Sequence, residues 1–340
     1  MRTRRLLVAS LAVACGDPEL GVLVDGERLP VIDMHLHPGD WDAIPPATQE
    51  FLASRFPWPV SLRPEKAAAD VLSPAGILDE MDRAGVSVGV LFAIYAPRTV
   101  GIAANADVAA DVASAPGRFL GLASLRVDRW ESDGPQELAR LREALAEPGI
   151  VGIKLAHAHQ QFRMDDERYF GIYALAAELE KPVYLHTGTS PFPGTEQTPP
   201  YTDPAYLEPA IMAHPGAVFV LGHLGYDFEG HTLGALAACV DLATRYPNVF
   251  LEPSALGSKA SDPSGENLPA ALRRLREAGL VDRVIYGSDG PQSPGFVDDY
   301  LDRTLAAMRA ADYSKEEMRG VLAGNFARVF GVPVPTLEGP

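Results

Sequence analysis

Val31-Ile32-Asp33-Met34-His35-Leu36-His37 runs β-branched and apolar residues straight into two histidines one position apart. On a strand, successive side chains point to opposite faces, so strict alternation puts Asp33, His35 and His37 on one face and Met34 and Leu36 on the other. Two imidazoles on one face are half of a metal site. Taken alone, they are equally a hydrogen-bonded pair at a strand end, and the rest of the chain decides between the two.

Downstream, apolar stretches of strand length alternate with stretches of helix length. Strands are expected over 86–94, 119–125, 151–155, 183–186, 218–224, 249–251 and 284–286. Between them, Ser73 caps a helix with Pro74 at its first position and Gly85 at its end, and helices follow over 105–115, 136–146, 168–180, 206–213, 233–246, 268–278 and 296–310. Continuous apolar strands are buried on both faces, as in a parallel sheet flanked by helices. With the opening heptapeptide they number eight, which favours a closed (β/α)8 TIM barrel over an open doubly wound sheet. No Gly-x-Gly-x-x-Gly follows the first strand to argue for a dinucleotide. Residues 38–72 carry many prolines together with Trp41, Phe51, Phe56 and Trp58. That is too long and too apolar for a simple connection, so a loop insertion over the end of the first strand, acting as a lid, is expected.

A chain of 340 residues fits one such barrel, assigned to residues 30–331, with a tail over 332–340 and a tether or lead-in over 16–29. The formal charge of −16 argues against a nucleic-acid partner and leaves a homodimer open. Residues 1–15 differ in kind: Arg2, Arg4 and Arg5 precede an apolar run from Leu6 to Ala14 that ends at Cys15. This reads as a secretory signal, too short to span a bilayer. Its end, Leu11-Ala12-Val13-Ala14-Cys15, is similar to a bacterial lipoprotein cleavage box in which Cys15 receives lipid. Export as a membrane-anchored lipoprotein of a bacterial envelope is the expectation, with periplasmic or secreted protein and then cytoplasmic protein as alternatives. Without residues 1–15 only Cys239 remains, so the fold rests on its core and not on an intrachain disulfide.

The polar residues that interrupt the strands fall at their C-terminal ends. His35 and His37 end the first, Lys154 sits near the end of the fourth, His186 ends the fifth, His223 the sixth and Asp289 the eighth. In a parallel barrel these ends converge on one mouth, where active sites lie. One histidine there is ordinarily structural, whereas four histidines and an aspartate on one rim read as a metal site. His35, His37, His186 and Asp289 are the expected ligands, and Asp289 also accepts a proton from water. His223 is the expected acid/base or transition-state stabiliser, the alternative being a ligand to a second metal. Imidazole and carboxylate suit zinc best, with manganese or iron open, and a metal with an open position lowers the pKa of bound water to roughly 7. Asp33, one strand repeat deeper, is read as support for the ligands. His157 and His159 are read as loop residues near the mouth that contact substrate.

Ile32-Asp33-Met34-His35-Leu36-His37, Pro116-Gly117-Arg118-Phe119, Gly152-Ile153-Lys154-Leu155, Gly222-His223-Leu224-Gly225, Gly287-Ser288-Asp289 and Asn325-Phe326-Ala327-Arg328-Val329-Phe330 together resemble the amidohydrolase superfamily. In detail they are similar to its amidohydrolase-related (amidohydrolase 2) branch, which includes aminocarboxymuconate-semialdehyde decarboxylase and resorcylate-type decarboxylases. The resemblance spans about Val31 to Gly331 and implies a barrel with one divalent metal on the positions of His35, His37, His186 and Asp289, with His223 catalytic. In binuclear relatives a lysine on the fourth strand carries a carbamate that bridges two metals. The reading preferred for Lys154 is a cation that pairs with an anionic substrate or a neighbouring carboxylate. The branch contains both hydrolases and nonoxidative decarboxylases. The leading expectation is a hydrolase of a small ester, lactone or amide acting through metal-activated water. The alternative is decarboxylation of an aromatic or unsaturated acid, and a third reading is a surface lipoprotein whose barrel only binds or supports.

Overall fold

A computed structural model describes residues 19–56 and 58–337. Seven parallel strands form one curled sheet in chain order: β1 (Ile32–Leu36), β2 (Val88–Phe92), β3 (Phe119–Ala123), β4 (Ile150–Leu155), β5 (Val183–His186), β6 (Phe219–Gly222) and β7 (Val249–Glu252). The expected eighth strand is too irregular to form a ladder. Val284 bridges Leu251 and Gly290 bridges Leu36, while Ile285 N–H donates to Leu251 O at 2.9 Å and Met34 N–H to Tyr286 O at 3.1 Å. Residues 284–290 thus bond to β7 on one side and β1 on the other, and the barrel closes. An antiparallel pair, Val22–Val24 with Glu27–Leu29, precedes β1 where a lead-in was expected.

The strands are apolar because both faces are covered. Inside the barrel Ile32, Met34, Val90, Phe92, Tyr184, Val220, Phe250 and Ile285 form one buried cluster, closed off by Phe326 and Phe330 from the C-terminal helix. Outward residues such as Leu36, Leu91, Ile153, Leu185 and Leu221 pack under the helices. β1 departs from strict alternation. Its pairing with β2 runs from Asp33–Gly89 to Leu36–Leu91, three residues against two, which is a β-bulge. The extra residue reverses parity along β1. Ile32 and Met34 lie in the inner cluster while Leu36 joins the outer one, and His35 still faces inward, stacked on Phe92 with ring centroids 4.4 Å apart. Asp33 therefore does not share a face with His35. It is fully buried, and its Oδ1 accepts from the backbone N–H of His35 at 3.1 Å and of Ser288 at 2.9 Å, pinning the bulge to the eighth strand.

Residues 38–72 contain a 3-10 turn, Trp41–Ala43, and two helices, α1 (Pro46–Arg55) and α2 (Pro64–Leu72), each begun by a proline in the first turn. They hold a small core of their own around Trp41, Phe56 and Ala68. Ser73 then caps α3 (Pro74–Ala84), accepting from Gly76 N–H, and Gly85 ends it at φ 72°. After β2 comes a short ribbon, Ile94–Ala96 paired with Gly101–Ala103. It carries α1 through a hydrogen bond from Thr48 Oγ1 to the Thr99 carbonyl. Among the described residues no helix is long and apolar enough to cross a membrane.

Candidate metal centre

The parallel register brings the polar strand ends into one layer. Gly222 of β6 pairs with His186 on one side and Glu252 on the other, and Tyr184, two residues before His186, lies one layer below. Just beyond, the backbone turns sharply: His223 (φ 60°), Leu224 (φ 54°) and Asp289 (φ 65°) all occupy the left-handed region. Non-glycine residues pay roughly 1–2 kcal/mol there, a strain that concentrates at functional sites. Local bonds hold it in place: Asp289 N–H donates to His35 O at 3.0 Å, and Gly290 N–H to Ser288 Oγ at 3.0 Å.

Three donor atoms meet at the mouth. His35 Nε2 and His37 Nε2 are 3.0 Å apart, and Asp289 Oδ1 lies 3.1 Å from each. Lone-pair atoms this close repel unless a proton or a cation sits among them, and about 3.3 Å separates the donors of a tetrahedral site with bonds of about 2.0–2.1 Å. His186 Nε2 is buried without a hydrogen-bond partner, an expensive state for an imidazole nitrogen unless something else uses its lone pair. These residues fit a divalent metal. His223 also offers a donor atom within 4.8 Å of those of His35 and Asp289, so distance alone does not separate it from the ligands. Its hydrogen bonds fix its tautomer. Nδ1 lies 3.1 Å from the Ser254 carbonyl oxygen, which only accepts, so Nδ1 carries the proton and Nε2, 3.5 Å from Tyr184 Oη, keeps its lone pair.

Beneath the histidines is a buried polar network that no motif announced. His35 Nδ1 lies 3.0 Å from Tyr184 Oη, 3.0 Å from Ser254 Oγ and 3.3 Å from Glu252 Oε1. Glu252 also accepts from Tyr184 Oη at 3.2 Å and Ser254 Oγ at 2.8 Å. A carboxylate against Nδ1–H fixes the tautomer and turns the lone pair of Nε2 toward the mouth. Two glycines make room for the network. A Cβ at Gly222 would lie 1.8 Å from Tyr184 Oη, and one at Gly287 would lie 2.1 Å from Glu252 Oε1.

The electrostatics follow from burial and proximity. Burial by itself pushes the His35 pKa down, as does Lys154, but the Asp289 and Glu252 carboxylates outweigh them and leave it raised. Burial would lift Asp289 as well, yet the histidines around it hold it well below the usual carboxylate range. Burial takes His37 and His223 down to about 4, and burial, together with His223, His159 and Lys154 close by, holds His186 well below the usual imidazole range. The histidines other than His35 are thus neutral at pH 7, the form that binds metal. Lys154 is depressed to about 7 by burial against the pull of Asp289 and Glu252. Its ammonium lies over the rings of Tyr184 and Phe92, 4.1 and 4.6 Å from the centroids.

Among the residues singled out from sequence, His35, His37, Lys154, His186, His223 and Asp289 come together around one mouth. His157 and His159 are not loop residues; both are buried on a single helical turn, His157–Gln160. His159 lines the cavity. His157 packs instead against Phe162, with Nε2 3.3 Å from Tyr173 Oη, away from the mouth. Cys15 lies outside the described residues. Glu252, Tyr184 and Ser254 were missed as site residues. Glu252 had a usable signal, a charge ending the apolar run Val249-Phe250-Leu251 as His186 and His223 end theirs.

The sequence profile of the family described as amidohydrolase matches residues 32–332. No curated protein matches the sequence. Among solved structures, an uncharacterised TIM-barrel protein from Bordetella bronchiseptica is 21% identical with a TM-score of 0.67, the alignment covering 89% of this chain and 99% of that one. A dihydroxybenzoic acid decarboxylase from Polaromonas sp. JS666, with bound manganese and the inhibitor 2-nitroresorcinol, is 17% identical with a TM-score of 0.61, covering 89% and 97%. A probable 2-pyrone-4,6-dicarboxylic acid hydrolase from Acinetobacter baumannii, with citric acid bound, is 17% identical with a TM-score of 0.59, covering 89% and 100%. At these identities the likeness is one of fold.

Proposed function

The chain belongs to the amidohydrolase family, and from that premise we propose that it is a metal-dependent hydrolase of a small ester, lactone or amide. The observation that carries the metal is the convergence of His35 Nε2, His37 Nε2 and Asp289 Oδ1 at 3.0–3.1 Å, with His186, its Nε2 unpartnered, on the same cavity. These four residues would hold one divalent ion. Zinc suits the donors best, and the manganese of the decarboxylase of similar fold keeps that metal in view. A divalent metal there polarises a carbonyl oxygen and acidifies water.

The chain's own groups supply the rest. Asp289, held ionised, accepts the proton that the attacking water gives up as the new carbon–oxygen bond forms. His223, with its Nδ1 proton committed to Ser254, takes that proton over from Asp289 at Nε2 and gives it to the departing oxygen or nitrogen as the old bond breaks, which leaves Asp289 ionised and His223 neutral as they began. One water is consumed, and an acid with an alcohol or amine is released. Glu252 and Tyr184 keep His35 oriented throughout.

Lys154 favours a second reading. An ammonium buried in an aromatic box at the mouth is suited to a substrate carboxylate, as decarboxylation of an aromatic acid requires, with His223 or Asp289 delivering a proton to the carbon that carbon dioxide leaves. The test is product analysis on metal-loaded protein given esters, lactones, amides and hydroxybenzoic acids. The proposal expects an acid product and no carbon dioxide. Carbon dioxide release from the acids, with the esters, lactones and amides left intact, would overturn hydrolysis in favour of the second reading.

A further inference from the structure

The cavity that opens on His186, His223, Lys154 and Asp289 does not end at these groups. It continues outward between α1, α2 and the ribbon after β2, where Phe51, Leu52, Leu72, Ile102 and Phe192 line it, with the exposed Asp40 and Arg55 also on the lining. Its volume of about 190 Å³ exceeds the roughly 150 Å³ that accommodates a benzene ring in an apolar protein cavity. One wall is a continuous aromatic line. Phe51 of α1 meets Phe192 with ring centroids 5.1 Å apart, Phe192 meets His159 at 5.8 Å, and His159 meets the candidate ligand His186 at 5.1 Å. His159 is buried in this wall, with Nδ1 3.3 Å from Thr99 Oγ1.

The roof over this space is built in place. α1 bonds through Thr48 to the Thr99 carbonyl, and Gly101 lets the ribbon press against the 3-10 turn, since a Cβ there would lie 2.7 Å from the Ala43 carbonyl oxygen. Yet Phe51, Leu52, Leu72, Ile102 and Phe192 are only half-buried. All five line the cavity. A docked apolar surface that faces a reactive centre and not a core is a preformed ligand wall.

We propose that this chamber receives an uncharged apolar arm of the substrate, an alkyl chain or aromatic ring, whose acyl or carboxyl end lies at the candidate metal centre. The proposal rests on the assigned centre only for the position of that end. The occupant is fixed by continuity: the same cavity touches the reacting groups at one end and apolar side chains at the other. The class of substrate is a hydrophobic carboxylic-acid derivative. Residues 41–72 and Phe192 determine specificity without touching the bond that breaks.

Binding of butanoate, hexanoate and octanoate to the metal-loaded full chain, followed by isothermal titration, tests this apart from turnover. Affinity should rise about fourfold for each added methylene. Leu52→Asp and Phe192→Ala, on separate segments of the lining, should flatten that rise while leaving butanoate within about twofold of the parent. A rise of less than about twofold per methylene in the parent, or the full rise retained in both variants, would overturn the proposal. Two segments are altered so that misfolding of one variant, seen by circular dichroism, leaves the other to decide. A chain-length dependence without ester, lactone or amide turnover leaves the chamber standing and removes the hydrolase reading; turnover without chain-length dependence does the reverse.

Discussion

Gly222→Ala is the smallest change that should disrupt the centre without touching a ligand. The added methyl would lie 1.8 Å from Tyr184 Oη and 2.1 Å from Cζ, and Tyr184 is fully buried, with Lys154 over its ring, so it has no open space into which to move. Overpacking of this kind costs about 1–3 kcal/mol. Displacing the phenol also takes a donor from the buried Glu252 carboxylate and an acceptor from His35 Nδ1–H, at about 1–3 kcal/mol more. The expected loss is therefore about 2–6 kcal/mol of unfolding free energy in urea melts, together with weaker metal binding as His35 loses its orientation. Tyr184→Leu alone should cost about 2–4 kcal/mol, from the lost hydrogen bonds and the vacated ring volume. In the double variant the alanine methyl has room and fills part of that volume. The pair should be more stable than the sum of the single changes predicts by at least about 1 kcal/mol. Gly216→Ala, whose Cβ would find its nearest neighbour at 3.6 Å, is the control and should shift stability by no more than about 0.5 kcal/mol. Additivity of Gly222→Ala and Tyr184→Leu within about 0.5 kcal/mol would refute the steric account.

Three further outcomes are expected. His186→Ala should lower metal content and activity together, whereas His223→Ala should keep metal, read by elemental analysis, and lose about 10²- to 10⁴-fold in rate; equal metal loss in both would make His223 a ligand. Radiolabelled fatty acid should enter the wild-type protein produced in a bacterium and vanish in Cys15→Ser, and wild-type protein retained in the cytoplasm with Met1 intact would sink the export reading. Glu27 ties the N-terminal hairpin to Lys315 and Arg319, which hold its carboxyl down at about 2. A group whose folded pKa is depressed contributes stability above its ordinary pKa and loses it as pH falls toward the folded value. The melting-temperature gap between wild type and Glu27→Gln should therefore narrow from pH 5 to pH 3, by a small amount because the pair is exposed; a gap that widens on acidification would contradict the assignment.

The barrel was legible because a strand buried on both faces has to be apolar along its whole length, so a polar residue at its end stands out. That contrast marked His186, His223 and Asp289 while nothing was known of their contacts. It failed where contrast is absent. Tyr184 lies within Val183-Tyr184-Leu185, where an aromatic residue is indistinguishable from core, and only its neighbours reveal that its hydroxyl serves His35. The bulge in β1 left no local mark either, since whether His35 faces inward depends on how β1 pairs with β2 and not on its own sequence. The apolar chamber is less legible still: Phe51 and Phe192 lie on segments far apart in the chain, and their contact depends on where α1 docks.

The two glycines show where local reading stops. Gly222-His223 and Gly287-Ser288-Asp289 were visible as motifs, and a glycine before a site residue invites an explanation in backbone freedom. Neither Gly222 nor Gly287 has a positive φ. What they contribute is absent volume, one for the phenol of Tyr184 and the other for the carboxylate of Glu252. Each empty position is thus the counterpart of a polar group on the neighbouring strand. Glycine and partner act as a pair, so substitution of the glycine alone traps the partner against it, and substitution of both gives the space back.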